Sequence, residues 1–215
     1  MENNEVNLEG DSLDYEILAD AVRMTSNVDG MICEIGTRLG GSLKYIIDSI
    51  IENKSDHRNV ISIDPYGNIE YDAGDNRMGI RLDYHNYMRY VGASNIFKYV
   101  ANKPINLVLM TLEDTEFMKR FSDGVPFYNN FKKIETKYSL VFFDGPHSVN
   151  PVMEETKFFA ERASDGAVFV YDDLPAYNHK VIEDYLFSHG FNLIAYGGYK
   201  NKASYRFNKA LNENK

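Results

Sequence analysis

Met31-Ile32-Cys33-Glu34-Ile35-Gly36-Thr37-Arg38-Leu39-Gly40-Gly41-Ser42 is a short apolar run that breaks into a glycine-bearing turn. An apolar run of this length, bounded by Gly30 and Gly36, reads as a buried strand. Beyond the turn, Leu43, Ile46, Ile47, Ile50 and Ile51 recur at helical spacing, which predicts a helix over 42–52 with that row facing inward. A strand, a glycine turn and a helix in this order let the backbone approach a ligand closely. They also offer the ligand the free N–H groups of a helix N-terminus.

The same alternation continues outward. Helices are expected over 13–24, 81–100 (interrupted near Gly92), 112–121, 152–163 and 181–189, and strands over 60–63, 105–110, 138–143, 167–171, 191–195 and 203–207. Strands that alternate with helices imply an α/β fold with a mainly parallel sheet. The last two strands, joined through Gly197-Gly198, would add a hairpin and make the sheet mixed. The stretches 66–80, with three glycines, and 122–137 lack periodicity and are expected to be loops on the substrate side.

With 215 residues, 44% hydrophobic and 26% charged, the chain suits one globular domain, 1–215. A net charge of −9 argues against binding to a nucleic-acid backbone. No apolar stretch approaches the length of a membrane helix. The one cysteine, Cys33, excludes an internal disulfide and reads as a small buried hydrophobe, which points to a reducing, cytoplasmic setting. The acidic start MENNEVNLEGD does not resemble a signal or transit peptide, and residues 1–12 are expected to fray. The expected partner is a small-molecule acceptor. A homo-oligomer is compatible with the sequence; nucleic acid and membrane are not expected.

Glu34, Asp64, Asp144, Asp172 and Asp173 all fall at or beside the C-terminal ends of expected strands. In open α/β sheets that rim is where ligands bind. A dinucleotide site would show G-x-G-x-x-G. Here the turn is G-x-x-x-G-G, and the acid after the second strand, Asp64, stands 28 positions beyond Gly36. An NAD-type oxidoreductase therefore lacks its turn. A non-catalytic nucleotide-binding module would be expected to show gaps in this set, which is complete.

E-x-G-x-x-x-G-x-S after the first strand, an acid after the second and a terminal hairpin together resemble the class I S-adenosylmethionine-dependent methyltransferases. The resemblance implies a Rossmann-like, seven-stranded mixed sheet with helices on both faces. It implies that Gly36, Gly40 and Ser42, with Thr37 on the same turn, line the methionine part of S-adenosyl-L-methionine. Glu34 would lie near its amino group, Asp64 would hold the ribose, and Pro65, Thr111 and Leu112 would lie near the adenine.

Asp144 and Asp172 are 28 positions apart, one helix and one strand, so these two and Asp173 should converge. Converging carboxylates repel unless a cation or protons intervene, and a hard divalent ion such as Mg²⁺ accepts oxygen ligands. The set resembles the metal site of the catechol-type and macrolide-sugar O-methyltransferases. His147, three positions after Asp144, stands where the sugar-type members carry their proposed general base, and a histidine can take a hydroxyl proton near neutral pH. His57, His85, His179 and His189 sit in polar or helical contexts and read as solvated; His179 lies near the Asp pair, within reach of a substrate. Tyr66, Tyr71, Phe127 and Tyr128 are candidates for an apolar wall of the acceptor pocket.

Overall fold

The chain alternates apolar runs along both periods, and the computed structural model, which describes residues 6, 8–55 and 58–212, folds them into three layers. Residues 1–5 and 7 of the expected frayed terminus, and His57, lie outside the described residues.

The main sheet is built from β1 (Met31–Ile35), β2 (Asn59–Ile63), β5 (Asn106–Met110), β8 (Tyr138–Phe143), β9 (Ala163–Tyr171), β10 (Phe191–Tyr196) and β11 (Ala203–Phe207). Its order is β10-β11-β9-β8-β1-β2-β5. β11 runs antiparallel to both neighbours and the remaining pairs are parallel, so the sheet is mixed as the terminal hairpin implied. Two further hairpins, β3 (Glu70–Tyr71) with β4 (Ile80–Arg81) and β6 (Val125–Asn129) with β7 (Phe131–Glu135), lie outside it.

Strand alternation sends Cys33, Ile35, Ile63, Val141, Phe143 and Phe169 to one face and Ile32, Val60, Leu140, Phe142, Val168 and Val170 to the other. The first face packs on α4 (Asp114–Arg120), α5 (Val149–Ala160) and α6 (His179–Ser188), through Phe117, Phe159 and Leu186. The second packs on α1 (Glu16–Met24), α2 (Gly41–Glu52) and α3 (Asn86–Val100), through Leu18, Ile46 and Ile96. On α2, Leu43, Ile46, Ile47 and Ile50 are all fully buried. Each such side chain is worth about 1.5–3 kcal/mol relative to exposure.

Three expectations change. The helix expected over 81–100 begins at Asn86 and runs unbroken through Gly92. Glycine stands there because a side-chain carbon would lie 2.7 Å from the Arg38 carbonyl oxygen. The 122–137 segment is not an irregular loop at the ligand rim but the β6–β7 hairpin at the opposite edge. Its Glu135 accepts a hydrogen bond from the Asn59 side chain at the start of β2, and the Lys137 carbonyl accepts from Met31 N at the start of β1. Phe127 is consequently core and Tyr128 is 71% exposed, so neither forms a wall of the rim. The part of the N-terminal segment that is described does not fray: Leu8 is 4% exposed, and Ser12 bonds to Asp172.

Candidate active site

β1 is flanked by β2 on one side and β8 on the other, so the chain reverses its winding direction between β1 and β8. A crevice opens beyond the strand ends at such a switch point. Here the two turns cross. Gly36 has φ +94°, and a side-chain carbon on it would fall 2.0 Å from the Asp144 carbonyl oxygen. Glycine is thus required at 36 by the neighbouring strand turn. Gly40 is likewise in the left-handed region, at φ +86°, and faces Ile96, not a cavity. α2 follows, and among the described residues no side chain caps its first N–H groups.

Two adjoining cavities occupy the rim, of about 300 Å³ and 250 Å³. Both touch Gly36, Asp64, Tyr71, Tyr84, Asp144 and Gly145. The first is bounded by Ile63, Pro65, Tyr66, Ile69 and Leu112 and suits a flat apolar ring. The second is polar, with Thr37, Ser42, His147, Asp172 and Asp173 on its walls. Of the expected cofactor residues, Glu34, Gly40 and Thr111 line neither.

Asp64 follows β2, is 7% exposed, and accepts the main-chain N–H groups of Tyr66 (2.9 Å) and Arg38 (2.8 Å). Burial raises its pKa, against the pull of those N–H groups. Glu34 is fully buried inside β1, with its oxygens taken by the hydroxyls of Ser42 (2.6 Å) and Ser62. Burial raises its pKa from 4.5 to about 7. Glu34 therefore braces the turn from behind and does not reach the cavities.

The three aspartates do converge. Asp144 follows β8, and Asp172 and Asp173 follow β9, all on the second cavity. Burial first, and the Asp172 carboxylate next, push the Asp144 carboxyl well above the usual carboxylate range, with Lys202 pulling the other way. Asp173 has φ +49°, and this turn leaves its Oδ2 3.4 Å from His147 Nδ1. Left-handed backbone at a non-glycine residue is costly and tends to cluster at functional sites. The other ring nitrogen, His147 Nε2, is buried, 3.7 Å from Asp144 Oδ1, and finds no hydrogen-bond partner among the described residues. Burial holds the imidazole below the usual histidine range, against the Asp173 and Asp172 carboxylates.

A Mg²⁺ ion on Asp144, Asp172 and Asp173 does not fit this arrangement. Asp172 Oδ1 accepts from Asn201 Nδ2 and Asp173 N, both at 2.7 Å. Its Oδ2 accepts from Lys202 Nζ (2.7 Å) and Ser12 Oγ (2.9 Å). A carboxylate has about four acceptor positions, and all are used. Among the described residues no group of three or more histidine, cysteine or acidic side chains could hold a metal ion.

The loop 66–80 lies over the rim. Asp72 accepts the Ser148 hydroxyl and Asp75 accepts Val149 N at the start of α5, while His147 N donates to the Asp72 carbonyl at 2.6 Å. This loop fixes the backbone of His147. Tyr71 contributes to both cavities and Tyr66 to the first, its hydroxyl donating to the Arg38 carbonyl. His179 is neither solvated nor at the cavities: its ring nitrogens meet the hydroxyls of Tyr177 (3.1 Å) and Tyr205 (2.9 Å), and burial lowers its pKa to about 4. His85 caps α3 by accepting Met88 N. Sequence reading missed Ser12, Tyr15, Tyr84, Asn201 and Lys202. None of them carried a sequence signal; Lys202 comes opposite Asp172 only through the pairing of β11 with β9.

A seven-stranded sheet of order β10-β11-β9-β8-β1-β2-β5, with β11 alone antiparallel to the rest and helices on both faces, is the Rossmann-like methyltransferase fold. Residues 33–174 match a family model described as a methyltransferase domain. The chain belongs to that methyltransferase-domain family. Among solved structures it is similar to CalS11, a calicheamicin methyltransferase, at 16% identity and TM-score 0.56, covering 90% of this chain and 78% of that one. The O-methyltransferase NovP matches at 14% identity and TM-score 0.57, over 90% and 79% of the two chains. The O-methyltransferase TomG from Streptomyces achromogenes, solved in complex with SAM, matches at 12% identity and TM-score 0.58, over 93% and 81%. Comparison with curated proteins gives no match. No helix among the described residues is long and apolar enough to cross a membrane.

Proposed function

We propose that the chain transfers the methyl group of S-adenosylmethionine to a hydroxyl of a small molecule such as a sugar, vicinal diol or catechol, in the cytoplasm. The observation that carries this reading is the Nε2 of His147, which has no hydrogen-bond partner among the described residues and lies 3.7 Å from Asp144 Oδ1, in a residue that lines the cavity holding Gly36, Thr37 and Asp64. Two neighbours in fold, NovP and TomG, are O-methyltransferases by name, which supports oxygen as the acceptor atom.

The residues fit the methyl donor. The apolar first cavity, with Pro65, Tyr66 and Leu112, takes the adenine, and Asp64 takes the ribose hydroxyls. The N-terminus of α2, which no side chain among the described residues caps, suits a carboxylate, with Thr37 and Ser42 beside it. When bound, the sulfonium supplies an already activated methyl group, so the protein's task is alignment and proton removal. His147, neutral because burial lowers its pKa, accepts the acceptor's proton at Nε2. Asp173, facing Nδ1, orients the ring and stabilises the imidazolium that forms. No step is assigned to a divalent ion, because Asp172 has no free acceptor position.

Calorimetry with S-adenosylhomocysteine tests the reading. One site per chain is expected. No binding in a folded sample overturns the proposal.

A further inference from the structure

We propose that Lys202 is the resident cation of the acid cluster, a positioning residue that fills the place a divalent ion would need. The antiparallel register pairs Ala203 with Tyr171 and Ser204 with Val170. One step further along, the same register sets Lys202 across from Asp172, so the pairing of β11 with β9 delivers the ammonium to the end of β9. Both side chains are almost completely buried, at 0% and 1% exposure, with Nζ 2.7 Å from Asp172 Oδ2.

The ammonium is a built feature. Nζ donates to Ser12 Oγ at 2.6 Å and lies 4.9 Å from the centre of the Tyr15 ring and 5.7 Å from that of Phe142. Ser12 Oγ donates in turn to Asp172, and Asn201 bridges Asp172 Oδ1 and Asp173 Oδ1. Asp14 accepts Tyr199 N and Asn201 N, which ties the N-terminal segment to the β10–β11 turn. A buried charge is tolerated when it is paired and hydrogen-bonded, and Lys202 is both. A dication beside it would meet like charge at short range and a carboxylate without a free lone pair.

The consequence is a division of labour among three carboxylates. Asp172 is held by Lys202, Ser12 and Asn201 and keeps the β9 turn in place. Asp144 and Asp173 remain with His147 at the cavity. The assignment rests on the methyl-transfer reading only in placing this cluster on the acceptor side.

Mn²⁺ is the probe. Its electron paramagnetic resonance signal is titrated against the wild-type protein, Lys202→Met and Lys202→Met with Asp144→Asn. The wild type is expected to bind no Mn²⁺ tightly, and its affinity for S-adenosylhomocysteine is expected to be the same with EDTA as with Mg²⁺. Lys202→Met frees an acceptor position and removes the positive charge, so it is expected to gain one Mn²⁺ site at least tenfold tighter than any in the wild type. Adding Asp144→Asn is expected to remove that site. Stoichiometric Mn²⁺ binding by the wild type, lost in Asp173→Asn, overturns the proposal, and this arm stands even if Lys202→Met fails to fold. A folded Lys202→Met that binds no Mn²⁺ overturns it as well. A wild type that does not bind S-adenosylhomocysteine instead overturns the functional reading alone.

Discussion

A side-chain carbon built on Gly36 lies 2.0 Å from the carbonyl oxygen of Asp144. The two turns that carry the proposed donor and acceptor sites are therefore in backbone contact, and the position of one sets the position of the other. Gly36→Ala is expected to lose about 1–3 kcal/mol from overpacking, with a further cost for a left-handed alanine. Thermal denaturation measures the loss, and weaker S-adenosylhomocysteine binding should accompany it because the Asp144 turn must move. A variant with unchanged melting temperature and affinity would show that the crossing is not tight.

Asp64 is expected to act on binding more than on folding. Asp64→Asn keeps the shape but replaces a charged acceptor of ribose hydroxyls. A hydrogen bond to a charged group is worth about 1.5–3 kcal/mol, so S-adenosylhomocysteine should bind roughly tenfold to a hundredfold more weakly. Arg38 N and Tyr66 N donate to different oxygens of Asp64, so in Asp64→Asn one of them faces an NH2 group and loses its acceptor while the other keeps a neutral one, and the melting temperature should fall too. Unchanged affinity by calorimetry would remove Asp64 from the donor site.

How much of this was legible follows from what each signal depends on. The sheet was readable because β1, β2, β8 and β9 are buried on both faces, so their apolar runs show without reference to neighbours. The rim acids were readable because strand ends are set by chain order. Glu34 was misplaced because its neighbours Ser42 and Ser62 come from other elements, and only their contact shows that it points inward. The 122–137 hairpin was missed because Lys132 and Lys133 interrupt its apolar alternation on the exposed β7. Magnesium was inferred from three converging acids and their resemblance to a metal site. The fourth member, Lys202, lies 29 positions beyond Asp173 and becomes visible only through register.

The buried Glu34 makes stability fall with rising pH. Its pKa is raised on folding, from 4.5 to about 7, so the native state holds the proton more tightly than the unfolded chain does. The stabilisation is fully present below pH 4.5 and is lost as the pH rises through 7. Integrated over that interval it amounts to about 3 kcal/mol. In urea denaturation at pH 5 and pH 8, the wild type is expected to lose more stability, or gain less, over this interval than Glu34→Gln does, and that difference is the contribution of Glu34. Glu155, Asp64 and Asp144, also raised by burial, act in the same direction, whereas His147 and His179, lowered by burial, add stability as the pH rises toward 6.5, so both proteins keep a background slope. A Glu34→Gln profile as steep as the wild type would place the proton elsewhere.

Removing the imidazole separates chemistry from binding. His147→Ala takes away the proposed proton acceptor while the donor contacts at Asp64 and the α2 N-terminus stay in place. General-base catalysis contributes typically about 10²–10⁴-fold, so methyl transfer to an accepted hydroxyl should fall by that factor. S-adenosylhomocysteine affinity should change less than threefold. Asp173→Asn should lower the rate by a smaller factor, because it removes the carboxylate 3.4 Å from Nδ1 and leaves Nε2 in place. Single-turnover transfer measured across pH separates the two variants. Asp173→Asn should keep a rate that rises as the imidazole loses its proton, whereas His147→Ala should lose that limb. A His147→Ala enzyme that retains both the limb and the wild-type rate would assign the proton to another group.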